Sequence, residues 1–361
     1  MTTVLRVVLD QLVDVVDADS AEASLEVARA LIATAPARCE VAAVVPSDAA
    51  EAAAGVGGLA QTVRAPFPRT GLLASWPMGI PGGVAGGLLH APTLLAPLVK
   101  HDRAHDNEQT VVTLWDLAVW DTPALFPRAT VLAHRALLKR AEKHADAVIV
   151  PAHATAHRLA EIAPKLSGRI RVIPGAAPAD FRVPTDAVGR RRELGVPDRA
   201  AVVAGGTEEQ LRAVLASIAG EQTSSIVVFD EPADVASAIA ESGIDRGRVI
   251  VPGRLDAADR AAVLDAAVLL IALSDGSGFP WRAVEAMVLG VPVVACDSPV
   301  HREVLLDGAR IAPFDELRDA AGEVLSSPDE LHRWAVRAGD RGRAFSWRDH
   351  AERVWALHAE L

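Results

Sequence analysis

Short runs of β-branched and aliphatic residues recur along the chain, each followed by a stretch with helical periodicity. Val4 to Leu9, Val41 to Val45, Val111 to Leu114, Ala147 to Val150 and Ile170 to Ile173 form a first set. Ala201 to Ala204, Ile226 to Phe229, Val249 to Val251, Val268 to Leu273 and Val291 to Ala295 form a second. The runs are apolar nearly throughout instead of alternating, which is the pattern of parallel strands covered on both faces. Two successive strand and helix series predict an α/β architecture with two Rossmann-like sheets. The length of 361 residues agrees, because one core stops growing at roughly 250 residues.

Between the sets, Ala179 to Ala200 is polar, contains Pro184 and Pro197, carries the run Arg190-Arg191-Arg192 and reads as an interdomain linker. Asp19, with Glu22 three positions on, is the expected cap of the first helix, whose buried face takes Leu25, Leu31 and Ile32. Gly71 to Val99 is long and uncharged apart from His90. Pro77, Pro81, Pro92 and Pro97 and the pairs Gly82-Gly83 and Gly86-Gly87 break it, so it reads as a loop-rich, partly buried segment and not a membrane span. A peripheral membrane contact at its tip is the second reading.

Composition narrows the function. Half of the residues are hydrophobic, only 4% are aromatic and Tyr is absent, so few aromatic platforms exist. A formal net charge of -11 repels a phosphate backbone and excludes nucleic acid as a partner; any anionic ligand needs a local positive site. Cys39 and Cys296 stand far apart without metal-ligand spacing, which argues for a reducing, cytoplasmic setting and against a disulfide framework or a zinc site. The start, Thr2-Thr3-Val4-Leu5-Arg6, lacks the pattern of a signal peptide.

Most of the chemical signal lies in Ser274 to Met287, which follows a buried run and enters a helix. Pro280 suits a first helical turn, Gly290 followed by Pro292 ends the helix, and backbone amides near Gly278 and Phe279 suit an anion at the helix start. The stretch resembles the signature of family-4 glycosyltransferases of the GT-B fold, S-x-x-E-G-F-G-L-P-x-L-E-A-M-x-x-G-x-P-V-V. Ser274, Gly278, Phe279, Glu285, Ala286, Met287, Gly290, Pro292, Val293 and Val294 fall on it in register. Val111 to Leu117, Ala145 to Val150, Arg169 to Gly175, Val251 to Leu255, Ser298 to Ala309 and Phe345-Ser346-Trp347 resemble further family segments.

The resemblance implies a retaining transferase that moves a hexosyl unit, mannosyl being a common family theme, from a nucleotide diphosphate sugar to a carbohydrate or lipid-linked acceptor. It implies no metal and no cofactor beyond that substrate. It divides the chain into an acceptor-side domain at 1–178, the linker at 179–200, a donor domain at 201–343 and a last helix at 344–361 that returns to the first domain, with the domains facing each other across a cleft. Glu285 takes the place of the ribose-binding Glu; Ser277, Gly278 and Phe279 hold phosphate and sugar; Gly205, Gly206 and Thr207 lie beside the diphosphate. Asp116 keeps the family's strand-end Asp, and His90 and His153 fall on the acceptor side.

Several positions depart from the family. Ser277 replaces the first Glu of the signature, Trp115 the His of the H-D pair, and Val16 to Ala21 the glycine-rich loop. Glu208 and Glu209 stand where the family has an Arg-Lys pair. Arg254 and Arg282 are the candidate substitutes for that pair, although Arg282 also has the spacing of a simple ion pair with Glu285. Two readings stay open: an active transferase, or an inactive GT-B relative that binds nucleotide sugar or supports a partner glycosyltransferase.

Overall fold

The computed structural model describes residues 2–101, 108–218 and 225–361. It divides into two compact units: Met1–Gly175 with Ser277–Phe279 and Ser346–Leu361, and Ala176–Gly276 with Pro280–Phe345. The first contains β1 (Thr3–Val8), β2 (Cys39–Val45), β3 (Gln61–Arg64), β4 (Leu88–Ala91), β5 (Gln109–Thr113), β6 (Ala147–Val150) and β7 (Ile170–Val172). All pair in parallel, in the order β3-β2-β1-β4-β5-β6-β7. The second contains β8 (Ala201–Ala204), β9 (Ile226–Phe229), β10 (Val249–Ile250), β11 (Leu269–Ala272), β12 (Val293–Cys296) and β13 (Ala309–Ala312), also parallel, in the order β10-β9-β8-β11-β12-β13. In each sheet the order reverses beside the first strand, which opens a ligand crevice at the carboxyl ends there.

All ten apolar runs form strands, and β3, β4 and β13 are additional. β3 reads Gln-Thr-Val-Arg because it is an edge strand, where polar side chains reach water. β4 is central and almost wholly buried, but its four residues carry His90 and lie between glycine- and proline-rich stretches. The segment Gly71 to Val99 is therefore more regular than expected: the helix Arg69–Ser75, a turn at Trp76–Met78, and β4. Among the described residues no helix is long and apolar enough to cross a membrane.

Two local expectations are corrected. The cap of the helix Ala18–Ala33 is Asp17, not Asp19, and its carboxylate accepts from the amides of Asp19 and Ser20. Gln11 holds the preceding loop by accepting from the amides of Val16 and Asp17, at 3.0 and 2.9 Å. The stretch Ala179 to Ala200 contains the helix Ala187–Glu193, which is part of the second unit. Arg191 is buried there, donates to the Ala262 carbonyl and pairs with Asp198, while Arg190 pairs with Asp259 at 2.8 Å.

The last helix, Trp347–Glu360, belongs to the first unit and is fastened by its aromatic residues. Trp355 donates to the Leu31 carbonyl, and His350 donates through Nδ1 to the Pro174 carbonyl at 2.9 Å. The His350 ring stacks on Trp115 at 5.7 Å, and the His358 ring meets His90 edge-on at 5.9 Å. Burial pushes His350 and His358 down to about 4 and His90 well below its ordinary value. These imidazoles are neutral in the folded chain and protonate more readily once it unfolds. Their share of stability is thus complete above pH 6.5 and is lost as pH falls toward 4. Urea unfolding at neutral and acid pH should show this loss, worth up to about 3 kcal/mol for each of His350 and His358, and His350→Gln or His358→Gln should flatten the acid slope relative to wild type.

Candidate active site

In the second unit the crevice beside β8 is built mostly from backbone. Gly205 and Gly206 follow β8 with φ of 68° and 86°. A Cβ on Gly206 would lie 2.7 Å from that of Leu273, so only glycine fits. Across the crevice, the loop after β11 reaches the helix Trp281–Val288, which opens at Pro280 with no side-chain cap. The neighbouring helix Glu208–Ile218 is different, because Thr207 and Gln210 cap it reciprocally. The Thr207 amide is therefore already bonded, and the exposed Glu208 and Glu209 face the helix dipole favourably while opposing a diphosphate.

Glu285 does not lie open to a ribose. Its side chain is 2% exposed and both carboxylate oxygens are engaged. Arg260 approaches it side-on, with Nε 3.1 Å from each oxygen and Nη2 2.8 Å from Oε1, while its Nη1 donates to the Leu255 carbonyl. Arg282 adds Nη1 at 2.7 Å and turns Nε to Asp230 at 3.0 Å. The ion pair expected between Arg282 and Glu285 is present, and it belongs to a larger buried network. Arg254, in the loop after β10, is exposed.

In the first unit, Asp116 follows β5 and accepts from the Ala118 amide at 2.8 Å. Burial raises its carboxyl above the ordinary range, against the pull of that amide. Residues Ser277–Phe279 are packed around it. A Cβ on Gly278 would come within 3.2 Å of the Asp116 Cβ, and Phe279 donates its amide to the Trp115 carbonyl at 3.1 Å. Ser277 accepts from the Leu117 amide, donates to Asp121 at 2.8 Å and receives the Thr155 hydroxyl on its carbonyl. The Phe279 amide, expected to meet an anion, is thus spent on protein.

The two histidines separate. His153 is exposed at the start of the helix His153–Ile162. His90 is 0% exposed, within β4, and neither ring nitrogen has a hydrogen-bond partner among the described residues; this corrects its expected place on a ligand-facing surface. The crevice beside β1 instead holds Asp10, whose carboxylate accepts from Arg69 Nε at 2.9 Å and from the Thr93 hydroxyl at 3.0 Å. Burial raises the Asp10 carboxyl, with Arg69 and Thr93 acting in the opposite sense. Asp10, Arg69, Asp230 and Arg260 escaped the sequence reading. A lone acid just past a strand was the only signal for Asp10 and Asp230, and nothing local marked Arg260. Among the described residues no group of three or more His, Cys, Asp or Glu side chains is placed to hold a metal ion.

Two parallel sheets in this strand order, with glycine turns at the crevice of the second, define the GT-B class of glycosyltransferase folds. Residues 199–327 match the sequence model of the Glycosyl transferases group 1 family. An MMP alpha-(1->4)-mannosyltransferase of Mycolicibacterium hassiacum is 37% identical over 131 residues, 33% of this chain and 31% of that protein. Sucrose-phosphate synthase from Thermosynechococcus elongatus superposes with a TM-score of 0.72 at 18% identity, covering 99% of this chain and 98% of that one. Anabaena HepE in complex with UDP-glucose gives 0.71 at 17% identity, covering 99% and 100%.

The Glu285 network yields a test of its own. Glu285→Ala removes the carboxylate that Arg260 and Arg282 share and leaves Arg282 its pair with Asp230, so chemical denaturation should show a loss of about 3–5 kcal/mol, with Glu285→Gln milder. Unchanged stability would mean that the arginines find water or other acids.

Proposed function

We propose that this chain transfers a hexosyl unit, mannosyl being the first candidate, from a nucleotide diphosphate sugar to a carbohydrate or lipid-linked acceptor, with retention of configuration and no metal. The observation that carries the reading is the backbone-built crevice at the ends of β8 and β11, where Gly205 and Gly206 pack against Ser274 and Leu273, the first residues of the loop that leads to the uncapped helix Trp281–Val288. That geometry suits a diphosphate, since glycine turns admit close approach and a helix start favours negative charge. The relatives support it: one is a mannosyltransferase, and one was crystallised with UDP-glucose.

In this scheme chemistry depends on charge stabilisation and placement. Arg254 is the accessible cation for the departing diphosphate, whereas Arg282 is held by Glu285 and Asp230. Asp116, whose carboxyl burial raises above its ordinary range, and His153 are assigned to the acceptor side.

A second reading, an inactive GT-B relative that binds nucleotide sugar or supports a partner transferase, has its own observation. Both Glu285 oxygens already accept from buried guanidiniums, and Ser277 stands in place of an acid with its hydroxyl bonded to Asp121.

Purified protein assayed with a panel of UDP- and GDP-sugars separates the two. The expected outcome is turnover indifferent to EDTA, a product of retained anomeric configuration by NMR, and a fall in kcat of about 100-fold in Arg254→Ala with the melting temperature unchanged. Activity lost to EDTA and restored by manganese overturns the metal-free scheme. Absence of both transfer and donor hydrolysis with every donor assigns the chain to the second reading.

A further inference from the structure

The helix Arg128–His144 is strongly basic within an acidic chain. It carries Arg128, Arg135, Lys139, Arg140 and Lys143 against Glu142 alone, in a protein of net charge -11. Its buried face is Val131, Leu137, Leu138 and Ala141. On the opposite face, at 3.6 residues per turn, Arg128, Leu132, Arg135, Lys139 and Lys143 fall within an arc of about 80°. All five are exposed. Glu142 flanks this stripe and does not interrupt it.

Apolar residues accompany the cations. Leu132 is 67% exposed in the middle of the stripe, and Leu125, just before the helix, is 69% exposed. The helix packs against the turn Trp76–Met78, and Arg140 lies so close to Gly79 that a Cβ there would sit 2.7 Å from the guanidinium. Met78 and Ile80 flank that glycine, 68% and 51% exposed. Four cations around one exposed leucine, with further exposed aliphatic side chains on the neighbouring segments, fit a surface that is anionic outside and hydrocarbon beneath. A soluble polyanion would use the cations and leave the leucines unexplained.

We propose that the stripe Arg128, Leu132, Arg135, Lys139 and Lys143, with Leu125 and Met78 beside it, docks the first unit onto an anionic lipid surface. Lysine and arginine heads meet lipid phosphates while Leu132, Leu125 and Met78 enter the headgroup boundary. The inference is independent of the transferase reading, because binding is measured without donor or acceptor.

Cosedimentation of the full chain with vesicles tests it. Binding is expected to phosphatidylcholine vesicles containing about 30 mol% phosphatidylglycerol, not to phosphatidylcholine alone, and should fade as salt rises from about 0.1 M to about 0.5 M. Arg135→Glu with Lys139→Glu should lower the bound fraction about tenfold or more, and Leu132→Asn at unchanged charge severalfold, with wild-type melting curves. Equal pelleting with neutral and anionic vesicles, or wild-type binding by the double variant, overturns the proposal. Binding to heparin that matches the vesicles and ignores Leu132→Asn also overturns it, and assigns the stripe to soluble polyanions.

Discussion

A parallel sheet covered on both faces leaves polar side chains almost nowhere to sit except beyond the strand ends. Both units obey this constraint, and it decides where chemistry is possible. Asp10, Asp116, Gly205 to Thr207, Asp230 and Arg254 all lie just past the carboxyl end of a strand. His90 is an exception, inside β4 and without a hydrogen bond to either nitrogen among the described residues, as is the smaller Thr113 hydroxyl inside β5. The histidine is tolerated because an imidazole can shed its charge, and with His350 and His358 it makes the first unit depend on staying neutral in its interior.

Several places where this fold favours an anion are filled by the chain itself. Asp17 occupies the start of the helix Ala18–Ala33, the Gln210 side chain takes the Thr207 amide, and Asp230 sits on Arg282. Each is a local gain, since an orphan amide or a buried cation obtains a partner. Each also removes a group that a phosphate would otherwise use. The helix Trp281–Val288 differs in having no side-chain cap, and the crevice beside it is shaped by glycines.

Glu285 shows how burial changes the meaning of a motif residue. Its register in the signature pointed to a ligand, but a carboxylate at 2% exposure has to be neutralised, and Arg260 and Arg282 do so from both sides. The residue ties the helix Ala257–Asp265 to the helix Trp281–Val288 and, through Arg282, to the turn after β9. In this structure its carboxylate accepts from both guanidiniums.

Reading the chain alone determined the two parallel sheets, because uninterrupted β-branched runs separated by helical stretches admit little else. It also located the crevice loops, since glycine pairs and strand-to-helix turns are local features. The last helix was placed by resemblance, and the structure puts it in the first unit. Strands β3, β4 and β13 were not legible, since edge position or a buried histidine broke the apolar pattern. Which charges meet was decided only by the tertiary structure: Arg260 lies 25 positions from Glu285 and Arg282 lies 52 from Asp230. A sequence pattern records what each residue prefers next to its neighbours in the chain. Partners brought together by folding, and the burial that surrounds a motif carboxylate with guanidiniums, are properties of the packed molecule.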